Sequence, residues 1–279
     1  MSAPRHSLRV AVSALPSTVP GVWHADELGT GQAHVQPTGF GVLDAQLPGG
    51  GWPVGALSEV LQPLAGLHEW QLVLPALAAA TARRTGAVVA VGPPCEPFGP
   101  ALQARGMPCE RLGVVRAGGA AALWAAEQAL RCRDVMAVMA WLPQVQPAAL
   151  RRLQLAAAQQ QQLLWVFRPA GAALQSSPAS LRLQVAGAGT PGGAFAAPRL
   201  RVRILKRRGP PLVEELDLPG CPPALAQVLA AQAARRRAMQ AAAGSEQTAV
   251  EQTAVEGAAP RSRPGGVHAL DRIAVAVGH

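Results

Sequence analysis

From residue 56 onward, short apolar runs alternate with longer stretches of helical composition, and this alternation limits the fold more than any other feature of the chain. ALSEVL (56–61), GAVVAVG (86–92), LGVVRA (112–117), VMAVMAWL (135–142) and QLLWVF (162–167) have the length and composition of buried strands. Between them lie HEWQLVLPALAAATARR, FGPALQARG, AAALWAAEQALRCR and QPAALRRLQLAAAQQQ, which read as helices. Pro75 falls inside the first and is expected to kink it or to mark where its regular part begins. Strands alternating with helices build βαβ units, so the expectation is an α/β fold with a mostly parallel sheet flanked by helices on both faces.

After residue 168 the pattern changes. SLRLQV (180–185), RLRVRILK (199–206) and LVEELDL (212–218) read as strands with no helix between, and RRGPP joins the last two as an antiparallel hairpin. AGAGTPGGAFAAP (186–198) reads as a flexible loop. A C-terminal helix is expected next, followed by EQTAVEQTAVEG, a repeated five-residue unit of low complexity that predicts disorder over 243–266. The final VHALDRIAVAVGH is apolar enough to dock on something, in cis or on a partner. The expected division is an N-terminal arm (1–36), an α/β core (37–221), a C-terminal helix (222–242) and a mostly disordered tail (243–279).

Composition narrows the function. The chain has 279 residues, enough to bury a full core, and no run of about 18 uncharged apolar residues, so no membrane partner is expected. The opening MSAPRHSLRVAVSALPSTVP has basic residues before an apolar stretch, as a signal peptide does, but Ser13 and Pro16 break that stretch and the expectation is a cytoplasmic protein. Cys95, Cys109, Cys132 and Cys221 form no Cys-x-x-Cys pair and the six histidines show no ligand spacing, so neither a metal site nor a disulfide framework is expected, and the thiols read as buried and reduced. The net charge of +9 is uneven: residues 198–241 hold nine Lys and Arg against three Asp and Glu. Such a concentration points to nucleic acid or an acidic protein partner.

LPGGGWPVGALSEVLQPLAGLHEW (47–70) has the layout of a phosphate-binding loop without its chemistry. Such a loop needs backbone N–H groups to cradle phosphates, a Lys to neutralise them and a Ser or Thr hydroxyl to hold magnesium. Here the region reads Gln62, Pro63, Gly66, His68, Glu69: with His68 at the lysine position, Gln62 and Leu67 stand at the glycine positions and Glu69 at the hydroxyl position. Shifting the register by one puts Leu61 at the first glycine position and Leu67 where lysine belongs. The later strand that should end in a metal-binding Asp offers Ala140 and Trp141, and no acid lies in 135–150. No catalytic residue, ATP binding or other cofactor is therefore expected, with His68 as a substitute cation the one route to turnover; His68 and Glu69 otherwise read as polar residues of a first helical turn, where Glu suits the helix dipole.

PTGFGVLDAQLPGGGWPVGALSEV (37–60), followed by SLRLQV and RLRVRILKRRGPP, resembles the core of bacterial RecA recombinases over about 37–218. With PGVWHADELG near the N-terminus and the degenerate loop, the chain most resembles the ImuA family, RecA-like accessory proteins of bacterial translesion DNA synthesis in a superfamily shared with the division inhibitor SulA. The resemblance implies a RecA-like core and a non-catalytic role in SOS-type damage-induced mutagenesis. It also implies as partners an ImuB-like Y-family polymerase homologue, an error-prone DNA polymerase in the same assembly and the RecA filament, with nucleoid association when assembled. The segment AGAALQSSPA (170–179) is shorter than the recombinase's second DNA-binding loop, which argues against strand exchange. Two alternatives stay open: a SulA-like inhibitor, and a weak DNA-binding or nucleotide-binding RecA paralogue.

In RLRVRILKRR the apolar Leu200, Val202 and Ile204 alternate with Arg199, Arg201 and Arg203, and Lys206, Arg207 and Arg208 crowd the turn. Glu214, Glu215 and Asp217 across the hairpin are available to pair with the strand arginines, so the turn is the better candidate for contact with DNA phosphates or a partner. The resemblance likens Lys206 and Arg208 to RecA lysines that reach the neighbouring subunit's nucleotide. Trp23 is a candidate partner anchor or a residue packed back on the core, and Arg235, Arg236 and Arg237 are a candidate contact or a solvated helix face.

Overall fold

A computed structural model of the chain describes residues 34–188 and 198–256. β1 (Val35–Gln36) and β2 (Trp52–Pro53) pair antiparallel as a small separate sheet, with α1 (Gly41–Asp44) between them. The last two residues of the expected N-terminal arm thus belong to the folded core.

The main sheet follows. β3 (Ala56–Gln62), α2 (Glu69–Arg83), β4 (Ala87–Val91), α3 (Gly99–Ala104), β5 (Leu112–Val115), α4 (Gly119–Arg131), β6 (Val135–Trp141), α5 (Pro147–Gln160) and β7 (Leu163–Pro169) reproduce the expected alternation. A 3-10 turn (Ala170–Leu174) leads to β8 (Leu181–Ala188), then β9 (Arg199–Lys206) and β10 (Glu215–Pro219). The strand order is β10-β9-β8-β3-β7-β6-β4-β5; the six strands from β8 to β5 are parallel, and β9 and β10 add antiparallel at one edge. The fold is α/β, as the alternation required. α2 runs through Pro75 as one helix.

Two apolar layers sandwich the sheet. On one face Leu72, Leu77 and Leu102 pack with Trp52, Trp165 and the inward side of β8 and β9; on the other, Ala126 and Leu130 of α4 and Leu150 and Leu153 of α5 pack on Leu57, Val138 and Val166. Trp52 and Trp165 meet edge to face at 5.6 Å. Glu127 pairs within α4 with Arg131 (2.6 Å) and across to α5 with Arg152 (3.4 Å). Among the cysteines only Cys221 is buried, whereas Cys95 and Cys132 are exposed, against the expectation of buried thiols.

Two boundaries need correction. β8 continues to Ala188, into what the sequence suggested was loop, because pairing with β9 extends to Ala188 opposite Arg199; residues 189–197 lie outside the described residues. The C-terminal helix, expected to stop at 242 before a disordered tail, is α6 (Pro223–Glu256). The repeated unit reads as low complexity, yet its Glu, Gln and Ala are good helix formers. The remaining tail lies outside the described residues, as does Trp23. Among the described residues no helix is long and apolar enough to cross a membrane.

Candidate functional site

Because β3, β4, β5, β6 and β7 run parallel, the loops after them gather at one end of the sheet, where open α/β sheets form their binding crevices. The degenerate loop lies there, between the end of β3 at Gln62 and the start of α2 at Glu69.

Glu69 fills the loop that it closes. Its Oε1 accepts hydrogen bonds from Gln62 Nε2 (2.5 Å), the Gly66 backbone N–H (2.7 Å) and Trp141 Nε1 (2.7 Å), and its Oε2 accepts from the His68 backbone N–H (3.0 Å). The carboxylate is 1% exposed. Gly66 adopts φ +93°, a left-handed conformation that glycine takes without strain and that turns its N–H inward. A helix N-terminus with converging backbone N–H groups is an anion site, and here the anion is part of the chain. At the strand end where magnesium chemistry needs an acid, Trp141 instead donates to that anion. The polarity of a nucleotide site is thereby exchanged: the acid is in the loop and the donor on the strand.

His68 does not occupy the place of a phosphate-binding lysine. Its Nδ1 is 3.4 Å from Gln71 Oε1, and its ring packs on β8, where a Cβ added to Gly187 would be 3.3 Å from His68 Cε1. Pro63 and Gly66 are exposed in the loop.

Beneath the loop is a cluster that the sequence reading missed. Glu59 of β3, fully buried, pairs with Arg168 Nη1 of β7 (2.6 Å) and Arg182 Nε of β8 (2.5 Å). Arg168 also donates to Gln175 Oε1 (2.5 Å), and Arg182 to the Ala172 carbonyl (2.8 Å), so the triad ties three neighbouring strands to the turn after β7. A signal for it was present: Glu59 and Arg182 stand alone as charges within apolar strands, and Arg168 directly follows another.

A cavity of about 340 Å³ opens beside the loop, bordered by Gln62, Leu64, Trp141, Pro143, Phe167 and Arg168. At the end of β5, Arg116 is exposed and donates to Glu96 (2.7 Å), which raises its pKa from the ordinary value.

The basic hairpin lies on the far side of β8. Arg199 pairs with Asp217 (2.7 Å) and Arg201 with Glu215 (3.5 Å), diagonal neighbours across β9 and β10. Arg203 is exposed and makes no ion pair among the described residues. In the turn, Lys206 Nζ donates to the Ser177 carbonyl (3.1 Å), and Arg207 donates to the carbonyls of Pro210 (2.9 Å) and Gln46, which holds it against the segment after α1. Arg207 is thus less available than the sequence suggested. Arg208 is exposed. Arg235, Arg236 and Arg237 are exposed on α6, with Arg237 Nε donating to the Ala233 carbonyl (3.3 Å). The loop and the hairpin are separate sites.

Fold and site together define a doubly covered, mostly parallel α/β sheet whose central strand ends in a phosphate-type loop filled by a glutamate. No protein-family model matches the chain, and no curated protein matches it.

Proposed function

We propose that this chain is a non-catalytic RecA-like adaptor of the ImuA type, acting in damage-induced translesion synthesis through contacts with an ImuB-like Y-family polymerase homologue, and through it with an error-prone polymerase. The observation that carries this reading is the Glu69 carboxylate, which engages four donors where a nucleotide phosphate would have to lie. With neither a lysine nor a metal-binding acid beside it, the loop has nothing to offer a transferring phosphoryl group. What is left to act is surface. Lys206 and Arg208, both exposed in the hairpin turn, are proposed to meet the RecA filament, with Arg203 beside them and DNA contacted weakly or through partners.

The test is co-purification of the full chain with the Y-family homologue, followed by damage-induced mutation frequency in a strain lacking the chromosomal copy. His68→Ala is expected to restore mutagenesis fully, and Lys206→Glu with Arg208→Glu to abolish any effect on RecA activity. Loss of mutagenesis in His68→Ala, with the partner still bound, would contradict the adaptor reading.

A further inference from the structure

A second cavity, of about 510 Å³, opens at the end of the sheet opposite the degenerate loop, where β3 begins at Ala56 and β8 at Leu181. Its walls are apolar, from Leu47, Pro53, Val54 and Leu181. The uncharged polar side chains of the lining are already paired: Gln154 Oε1 accepts from the Leu57 backbone N–H (2.6 Å), Gln154 Nε2 donates to the Gly55 carbonyl (3.4 Å) and Ser180 Oγ donates to the Leu57 carbonyl (3.3 Å). An apolar side chain entering there leaves none of them unpaired. The rim is basic. Arg207, Arg208 and His34 border the cavity and no carboxylate does, so the ligand it fits carries an apolar anchor with acidic groups beside it.

The chain has such a segment close to this mouth. The His34 carbonyl accepts from the Val54 N–H (2.9 Å), which fixes the start of the described residues at the edge of the cavity. Residues 1–33 contain one Trp, Phe or Tyr, which is Trp23, and two acids, Asp26 and Glu27, all within WHADE. The other stretches outside the described residues lack this combination: 189–197 has Phe195 but no acid, and 257–279 has Asp271 beside Arg272 but no Trp, Phe or Tyr. Trp23 precedes His34 by eleven positions, a reach of at most about 40 Å, and a tether of that length holds the segment at an effective concentration of about millimolar.

We propose that residues 23–27 dock in this cavity on their own chain. The Trp23 ring fills the apolar part, and Asp26 and Glu27 meet Arg208 and Arg207 at the rim. The docked segment covers Arg208, so contact of Arg208 with a filament requires it to leave; the docking itself does not rest on the adaptor role.

The test is ¹⁹F NMR of the full chain labelled with 5-fluorotryptophan, with a soluble nitroxide that broadens exposed rings; Trp23 is the signal missing in Trp23→Phe. In the wild type it is expected to broaden about tenfold less than free 5-fluorotryptophan, the docked fraction reached when the effective concentration exceeds the dissociation constant about tenfold. Arg208→Glu, at an exposed position, and Ala158→Phe, which narrows the cavity from α5, should each expose Trp23. Adding Asp26→Lys and Glu27→Lys to Arg208→Glu should restore the protection. The signals of the other five tryptophans check that the core stays folded. A wild-type Trp23 broadened like the free amino acid overturns the proposal, as does protection that survives either cavity substitution or a charge swap that fails to restore it. Protection lost on tenfold dilution also overturns it, because the host of the segment would then be a second copy. None of these results touches the Glu69 loop, on which the adaptor reading stands.

Discussion

Replacing Glu69 with alanine deprives four donors of their acceptor: Gln62 Nε2, Trp141 Nε1 and the backbone N–H groups of Gly66 and His68. The two side-chain donors belong to residues only 2% and 7% exposed, and each buried donor left unpaired costs about 1–3 kcal/mol. The two backbone groups lie in an exposed loop where water can reach them, which limits their share to about 0.5–1 kcal/mol together. The expected loss is about 3–5 kcal/mol, a large part of the stability of an ordinary domain. In urea, with an m-value of about 3 kcal/mol/M for a chain of this size, the midpoint should fall by about 1–1.7 M. Glu69→Gln keeps the shape and one acceptor oxygen and should lose about half as much. A midpoint lowered by less than about 0.3 M at unchanged m in Glu69→Ala would refute the idea that the loop is organised around this carboxylate.

The buried triad gives a second test. Glu59→Gln leaves two buried guanidinium groups without their anion and should cost about 3–5 kcal/mol in the same assay, whereas replacing Glu59, Arg168 and Arg182 together by apolar residues of similar volume should cost far less. On the hairpin, Arg199→Ala or Arg201→Ala should change stability by less than about 1 kcal/mol, because both ion pairs are about half exposed; a larger loss in urea unfolding would mean that the hairpin arginines are structural.

Period and composition made the sheet legible before any coordinates. Strand-length apolar runs predicted β3 to β7 within a residue or two at most ends, and the alternation of Arg199, Arg201 and Arg203 with Leu200, Val202 and Ile204 placed the arginines on the outer side of β9. What local pattern could not supply was pairing across strands. Glu59 meets Arg168 and Arg182 across 109 and 123 residues, and Glu69 meets Trp141 across 72 residues, contacts that follow from a strand order no single segment encodes. The loop shows the same limit. Glu69 at the hydroxyl position read as a charge that repels a triphosphate, but its role as the loop's own anion depends on backbone N–H directions set by Gly66. In α6, repetition suggested disorder where helix-forming composition prevailed through Glu256.

The most direct measurement is binding of a fluorescent ATP analogue with magnesium to the full chain, with phosphate release followed in the presence of single-stranded DNA. A loop already filled by Glu69 should give neither binding nor turnover, in the wild type and in His68→Ala alike. Micromolar binding that disappears in His68→Ala would contradict this, and would make the loop a working variant of a nucleotide site.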